Sequence, residues 1–357
     1  MSFIIDNLFY TLMCVCWIGR GIEFAKPDDV KVTSKDVTVL IPAKHETKEA
    51  MRMTVESINQ QTIVPKIWIV LDESDSKTIK FAKDIAKEFD NVEIKVFDNK
   101  SKADALNKAV QHVTTKYVLI IDVGDKFGNQ DAIENLLKVA EKGYEAVVSV
   151  LHALNGGKIW QTFVEAEMRN WTYYVLRVIK KKFGFIPLPG TGLLIRTDAL
   201  RRNPFPETLA EDASLGLRIT NVAITTSSIL LYNIPERLRD HLKQRSRWMA
   251  GYLQTFKLAK GKKKLIFLTP FVQGLTTISL ACMPITAFIG LYGFPWIIID
   301  WIAGILLLYY IIRFYKLTKD KHVIILPLWW FIAGLSFYIS LYYLIKKKWY
   351  FSPKSVY

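Results

Sequence analysis

Five acidic side chains and one short basic stretch carry the chemistry this sequence could perform. Asp72 and Asp122 each close an apolar run, "IVLD" and "LIID", and Asp125 follows one turn after Asp122. A carboxylate at the end of an apolar strand can help hold a divalent cation that bridges phosphate oxygens, because Mg²⁺ takes one or two carboxylates and completes its shell with phosphates and water. An Asp after a strand is also a common turn former or helix cap. Glu211 and Asp212 precede the run "ASLGLRI". They read as a catalytic acid pair, or equally as negative charge suited to a helix N-terminus. Gln244, Arg245, Arg247 and Trp248 fall together in "QRSRW". A guanidinium presents several donors to phosphate oxygens, and an indole offers a flat apolar face to a sugar ring. A solvated basic helix with one core Trp has the same composition. As a set, these residues supply what transfer from a nucleoside diphosphate to a hydroxyl needs: counter-charge for the departing diphosphate, a base for the hydroxyl and a surface for the acceptor.

The elements that must position them alternate between short β-branched runs and helical stretches. Strands are predicted at Val37 to Ile41, Lys66 to Leu71, Val92 to Phe97 and Tyr117 to Ile121, and helices near Glu49 to Gln60, Ser76 to Phe89 and Ala103 to Val113. This alternation predicts an α/β domain, Rossmann-like, with a largely parallel sheet. Open α/β sheets bind ligands at the carboxyl ends of their strands, so Asp72 and Asp122 should share one crevice although 50 positions separate them.

Composition adds a membrane. The chain has 357 residues, 51% of them hydrophobic, enough for one mid-sized catalytic domain plus apolar segments. Leu265 to Tyr315 and Val323 to Ile345 are each long enough to cross a bilayer, for which about 20 apolar residues suffice. Phe3 to Ile18 reads as a retained anchor or interfacial helix, because it has neither a basic flank nor a small-residue cleavage site. The formal charge of +15 gathers partly in Lys180 to Lys182, Lys262 to Lys264 and Lys346 to Lys348. Each of these triplets flanks an amphipathic or apolar stretch, where cations meet anionic head groups. No zinc, helix-turn-helix or RNA-binding signature accompanies the charge, which excludes nucleic acid as the expected partner. Cys14, Cys16 and Cys282 lie in apolar segments and read as small hydrophobes, so neither a disulfide framework nor a zinc site follows.

In order along the chain, "VLIPAKHE", "IVLDESDSKT", "KADALNKAV", "LIIDVGD", "PGTGLLIRTDAL", "LAEDASLGLRI" and "QRSRW" resemble the family-2 glycosyltransferases of GT-A fold. The likeness is to the membrane branch that includes cellulose, chitin, hyaluronan and glucomannan synthases and glucosylceramide synthases, and it covers roughly Val37 to Tyr252. It implies that Pro42, Ala43, Glu46 and Asp72 hold the nucleoside, that Lys102 lies near the base or diphosphate, and that Asp122 helps bind metal and diphosphate. It implies that Asp212, beside Glu211, is the general base, that Gly190, Thr191 and Gly192 shape the acceptor entrance, and that Gln244, Arg245, Arg247 and Trp248 secure diphosphate and acceptor sugar. The cofactor implied is Mg²⁺ or Mn²⁺, with Asp122 and Asp125 as ligands. Here the sequence departs from the family's Asp-x-Asp, since Gly124 stands where the second Asp belongs. Either Asp125 reaches the ion through a shifted turn, or the cation is held more loosely and Arg247 and Lys102 supply more of the charge stabilisation. Ala210 replaces the usual Thr before the acid pair.

The organisation expected is a membrane anchor or interfacial helix over 1–24, a GT-A domain over 25–236, an amphipathic interfacial segment with "QRSRW" over 237–264, and about three membrane helices over 265–357. The resemblance implies a multi-pass membrane enzyme with its catalytic domain in the cytoplasm. The basic loop Arg313 to Lys321 then lies inside, as the positive-inside bias asks, whereas three crossings put Lys346 to Lys348 outside, against it. The expected activity is inverting transfer from a nucleotide sugar, UDP ahead of GDP, onto a growing β-linked glycan. The alternative is a single sugar placed on a membrane lipid, as glucosylceramide synthases or polyprenyl-phosphate enzymes do. A non-catalytic scaffold is the third reading.

Overall fold

The computed structural model describes residues 20–271, 274, 305, 308–309, 311–313, 315–316, 319 and 335–342. These fall in two compact units. One comprises Glu23–Gly157 and Gly184–Glu236, and the other contains Lys158–Phe183 and the described part of Arg237–Phe351. Residues 158–183, which the sequence reading keeps inside 25–236, therefore group with the helical unit.

The first unit is built on eight strands in the order β3-β2-β1-β4-β7-β6-β8-β5. Strands β1 (Val37–Ala43), β2 (Lys66–Asp72), β3 (Val92–Phe97) and β4 (Tyr117–Ile120) pair in parallel. Their Val, Ile and Leu runs are buried on both faces in β1, β2 and β4, as a sheet covered by helices on both sides requires. Helices α1 (Lys48–Asn59), α2 (Ser76–Ala86) and α3 (Lys102–His112) connect them. Each begins at a side-chain cap, Thr47, Asp75 or Ser101, which accepts from a backbone N–H of the first turn. Strands β5 (Lys126–Phe127), β6 (Ala146–Ala153), β7 (Leu193–Arg196) and β8 (Val222–Tyr232) complete the sheet, with α4 (Ala132–Ala140) between β5 and β6.

The sheet is mixed, which corrects the largely parallel expectation. β6 and β8 are parallel to each other, but β7 is antiparallel to both β4 and β6, and β5 is antiparallel to β8. The physical reason is the route into β7. Leu193 pairs with Ile120, the last residue of β4, so the chain enters the sheet at the carboxyl edge and runs back against its neighbours. That reversal places Gly190, Thr191 and Gly192 directly beyond the end of β4, beside Asp122.

In the second unit, α5 (Ile159–Asn170) runs through a π-helical stretch, Trp171–Val175, into α6 (Leu176–Phe183). Short helices α7 (Thr197–Arg202) and α8 (Glu211–Leu215) belong to the first unit, whereas α9 (Leu238–Leu258) carries the whole of "QRSRW" and α10 (Lys264–Phe267) follows it. Among the described residues no helix is long and apolar enough to cross a membrane. The anchor expected within 1–24 and the spans expected over 265–357 fall almost wholly outside the described residues.

Candidate active site

The carboxyl edge of the sheet collects the acidic residues. Asp72 ends β2 and Asp122 follows β4, with β1 between them, so about 10 Å of sheet separates the two strands. Asp72 is buried and receives Lys44 Nζ at 2.7 Å on Oδ2 and the Ser74 N–H at 2.9 Å on Oδ1. Burial alone would raise its pKa, but these donors outweigh it and hold the carboxyl at about 2. Pro42 and Ala43 close β1, and the loop that follows turns at His45, whose φ is 58°. The His45 N–H donates to Asp75 Oδ2 at 2.6 Å, which ties this loop, with the half-buried Glu46, to the start of α2. Lys44 and Asp75 are the residues that sequence reasoning missed here. Lys44 lies inside "VLIPAKHE", and its position one residue past the strand end was the available signal.

The second cluster surrounds Lys102, the first residue of α3. Its Nζ lies 2.6 Å from Asp122 Oδ1 and 3.7 Å from Glu211 Oε1. Burial opposes its charge, but Asp122, Glu211 and Asp212 together raise its pKa, so it stays protonated. Gly190 packs against the same group. A Cβ at that position would stand 2.6 Å from Asp212 Oδ2, too close to leave that oxygen in place, and 3.5 Å from Lys102 Nζ, an ordinary contact. Asp212 is half-buried at the start of α8, and its Oδ1 accepts from the Ala213 N–H at 2.7 Å. Burial, then the Glu211 carboxylate, push its pKa up to about 7 against the pull of Lys102. A carboxyl in that range can take a proton near neutral pH, which an ordinary Asp does poorly.

Asp125 corrects one expectation: it faces inward and is fully buried. Its Oδ2 accepts from Thr191 Oγ1 at 2.9 Å and its Oδ1 from the Asn233 N–H at 3.1 Å. The cause is the turn. Asp125 N–H donates to the Asp122 carbonyl at 3.2 Å, and Gly124 at the third turn position has φ 84°, the backbone region that glycine takes without strain. This turn sends Asp122 to the sheet edge and Asp125 into the core, so Asp125 is a positioning residue and not a metal ligand. Thr191 links the two, since its Oγ1 also accepts from the Asp122 N–H at 3.1 Å. Among the described residues no three His, Cys, Asp or Glu side chains gather to hold a metal. A single carboxylate, Asp122, does fit an Mg²⁺ or Mn²⁺ ion that takes its remaining ligands from phosphates and water.

Gln244, Arg247 and Trp248 are half-buried on α9, in the second unit. Arg245, one of the expected phosphate ligands, is committed within that unit. Its NH1 reaches Glu167 Oε2 at 2.6 Å and its NH2 reaches Glu167 Oε1 at 2.5 Å, a bidentate pair between α9 and α5. His241, one turn earlier, is fully buried between Trp160 and Trp248, with centroids at 5.6 and 6.4 Å. Burial, with Arg245 adding to it, lowers the His241 pKa to about 3, so the ring is neutral.

A Rossmann-like mixed sheet whose carboxyl edge presents nucleotide-type carboxylates, a pinned lysine and a neutral-range acid defines a nucleotide-dependent transferase. The family model described as "Glycosyltransferase like family 2" matches residues 35–251. The chain belongs to this family: it is a glycosyltransferase of GT-A fold. Among solved structures, a mannosyltransferase from Pyrobaculum calidifontis in complex with GDP-Man and Mn²⁺ aligns over 97% of this chain and 96% of its own, with a TM-score of 0.63 and 17% identity. At that identity the likeness is one of fold. TarS from S. aureus aligns over 67% of this chain and 52% of its own at 13% identity, with a TM-score of 0.42, too low to carry an argument. Comparison with curated proteins gave no match.

Proposed function

We propose that this glycosyltransferase moves a hexose from a nucleotide-sugar donor to an acceptor hydroxyl in one displacement with inversion, extending a β-linked glycan at the cytoplasmic face of a membrane that the chain itself spans. The observation that carries the reading is Asp212, a carboxyl held near pKa 7 beside the protonated Lys102 and packed against Gly190. In the proposed step the acceptor oxygen bonds to the anomeric carbon as the bond from that carbon to the diphosphate oxygen breaks. The hydroxyl proton passes to Asp212, and the leaving electron pair stays on the diphosphate. Lys102 supplies counter-charge there, while Asp72 and the loop after β1 hold the nucleoside. When bound, Mg²⁺ or Mn²⁺ would rest on Asp122 and spread the charge of the departing diphosphate. Gln244, Arg247 and Trp248 keep the acceptor-side role that the family resemblance gives them. Arg245 is assigned instead to holding α9 on α5.

UDP-sugars lead as donors. GDP-mannose stands next, since the structurally similar mannosyltransferase is described with it. The test is a panel of labelled UDP-glucose, UDP-N-acetylglucosamine and GDP-mannose supplied to membranes of expressing cells, with and without Mg²⁺ or Mn²⁺. The expected product is a ladder of lengthening glycans, abolished by Asp212→Asn. A single-sugar lipid product would favour transfer to a membrane lipid. The absence of both transfer and donor hydrolysis with every donor would sink the catalytic reading.

A further inference from the structure

Two parts of the proposed site come from segments far apart in sequence: Lys102 opens α3, and Glu211 with Asp212 opens α8. α8 has 5 residues, too few to fix its own place, and the segment that leads into it, Asn203 to Ala210, has no regular structure. The acid pair nevertheless sits in tight quarters. Glu211 Oε1 stands 3.7 Å from Lys102 Nζ, and Asp212 Oδ2 lies where a Cβ on Gly190 would meet it at 2.6 Å.

Contacts from α3 and from α8 hold the leading segment. Asn107, half-buried on α3, donates from Nδ2 to the Phe205 carbonyl at 3.0 Å and accepts on Oδ1 from the Phe205 N–H at 2.9 Å. One amide thus pairs with both backbone groups of one residue, as a neighbouring strand would. Phe205 stands between Pro204 and Pro206, which have no N–H, so it carries the one backbone donor of that tripeptide, and Asn107 takes it. The Phe205 side chain is buried. At the exposed end of the segment, Ser101 Oγ donates to Glu207 Oε2 at 2.8 Å. On the side of α8, Arg218 NH1 donates to the Pro204 carbonyl at 2.8 Å, and Thr208 Oγ1 lies 2.8 Å from Ser214 Oγ. Those two contacts tie the segment to the acid pair's own helix, whereas Asn107 and Ser101 tie it to the helix of Lys102. Of the latter two, Asn107 grips backbone, which a side-chain rotation cannot release. A closed ring results: from Lys102 about 7 Å along α3 to Asn107, across to Phe205, along the segment to Glu211 and back to Lys102.

We propose that Asn107 is a positioning residue for the transfer, clamping Phe205 to α3 so that the acid pair, and with it the base, keeps a set distance from the ammonium facing the departing diphosphate. The role rests on the reading of Asp212 as base and adds what holds that base in place. Asn107 stands inside "KADALNKAV", but its partner lies 98 positions away and only the fold joins them. A clamp made for stability alone exists in the same unit for comparison. Asn129 donates from Nδ2 to the Ser227 carbonyl at 2.9 Å and accepts on Oδ1 from the Ile229 N–H at 2.9 Å, at the β5–β8 edge of the sheet.

The test is steady-state kinetics of the purified full chain, followed as nucleoside diphosphate release with the donor that the panel identifies. Asn107→Ala should lower kcat about tenfold to a hundredfold, the loss that a displacement of about 1 Å at the reacting groups produces, and leave the donor KM within about twofold. Asn129→Ala removes an equivalent pair of bonds; it should lower Tm comparably and keep kcat within about twofold. Combined with Asp212→Asn, Asn107→Ala should change the residual rate by less than about twofold, because the group it positions is gone. If Asn107→Ala does not melt cooperatively, Asn107→Asp, which still accepts from the Phe205 N–H, repeats both comparisons. An unchanged kcat in the Asn107 variant, an equal loss in Asn129→Ala, or the same loss repeated on the Asp212→Asn background would each overturn the role. The reading beneath it fails separately. Asp212→Asn within threefold of wild type would remove the base and the clamp's purpose together, whereas a slow Asp212→Asn beside an unaffected Asn107→Ala removes only the positioning role.

Discussion

The acid limb of the pH–rate profile tests the proposed base directly. With a pKa of about 7, Asp212 is ionised in about half of the molecules at pH 7 and about 1% at pH 5, so kcat/KM should fall about 50-fold over that interval. An Asp at its ordinary value would lose less than about 10% over the same range. The other site groups with perturbed values do not titrate there, because Asp72 lies at about 2 and Lys102 is shifted upward. The limb is therefore assignable to Asp212. Asp212→Asn keeps the side-chain shape and removes the proton acceptor, and should lower kcat by about 10² to 10⁴, equivalent to about 3 to 5 kcal/mol of transition-state stabilisation. The assay is the initial rate of nucleoside diphosphate release with the donor selected by the panel, between pH 5 and 9. A flat profile from pH 5 to 7, or an Asp212→Asn enzyme within threefold of wild type, would refute the assignment.

Three further outcomes follow from the same geometry. Asp212→Asn should be more heat-stable than wild type at pH 8. A carboxyl whose folded pKa lies above its unfolded value of 3.8 contributes stability that is complete below 3.8 and is lost as pH rises through about 7, so the gain in Tm should shrink from pH 8 to pH 5. Gly190→Ala places a methyl 2.6 Å from Asp212 Oδ2 and must displace the base; transfer should fall by about 10² in a rate assay, with Tm within a few degrees of wild type. Arg245→Met leaves the Glu167 carboxylate buried without its bidentate partner and should cost about 3 to 5 kcal/mol in denaturant unfolding. Glu167→Met/Arg245→Met should recover most of that, because a buried ion pair replaced whole by apolar side chains is often neutral.

What the sequence discloses follows from where the physics is local. The expected strand over Val92 to Phe97 matches the observed one, and the other early strands and helices shift by three residues or fewer, because β-branched runs and the Thr47, Asp75 and Ser101 caps mark their own ends. The reversal into β7 was not legible. A four-residue strand after "PGTG" carries no sign of direction, which is set only when Leu193 meets Ile120. The same long-range contact decides Asp125. From "DVGD" alone a second metal ligand and a buried anchor are equivalent, and only Thr191 and Asn233, 66 and 108 positions away, choose between them.

Gly124 then takes on a meaning different from a lost acid. Its positive φ lets the turn send one carboxylate outward and the other inward, and the inward one holds Thr191, which in turn holds the backbone of Asp122. Lys102, which the family resemblance itself carries, stands 2.6 Å from the outward carboxylate as a fixed positive charge. The site thus keeps a preorganised ammonium beside a rigid turn, while Asp125 of the same loop is turned inward. Preorganisation of this kind stabilises developing charge without reorganisation at the moment of reaction. At the proposed donor site, affinity for the diphosphate should therefore depend less steeply on the divalent ion than at a two-carboxylate site.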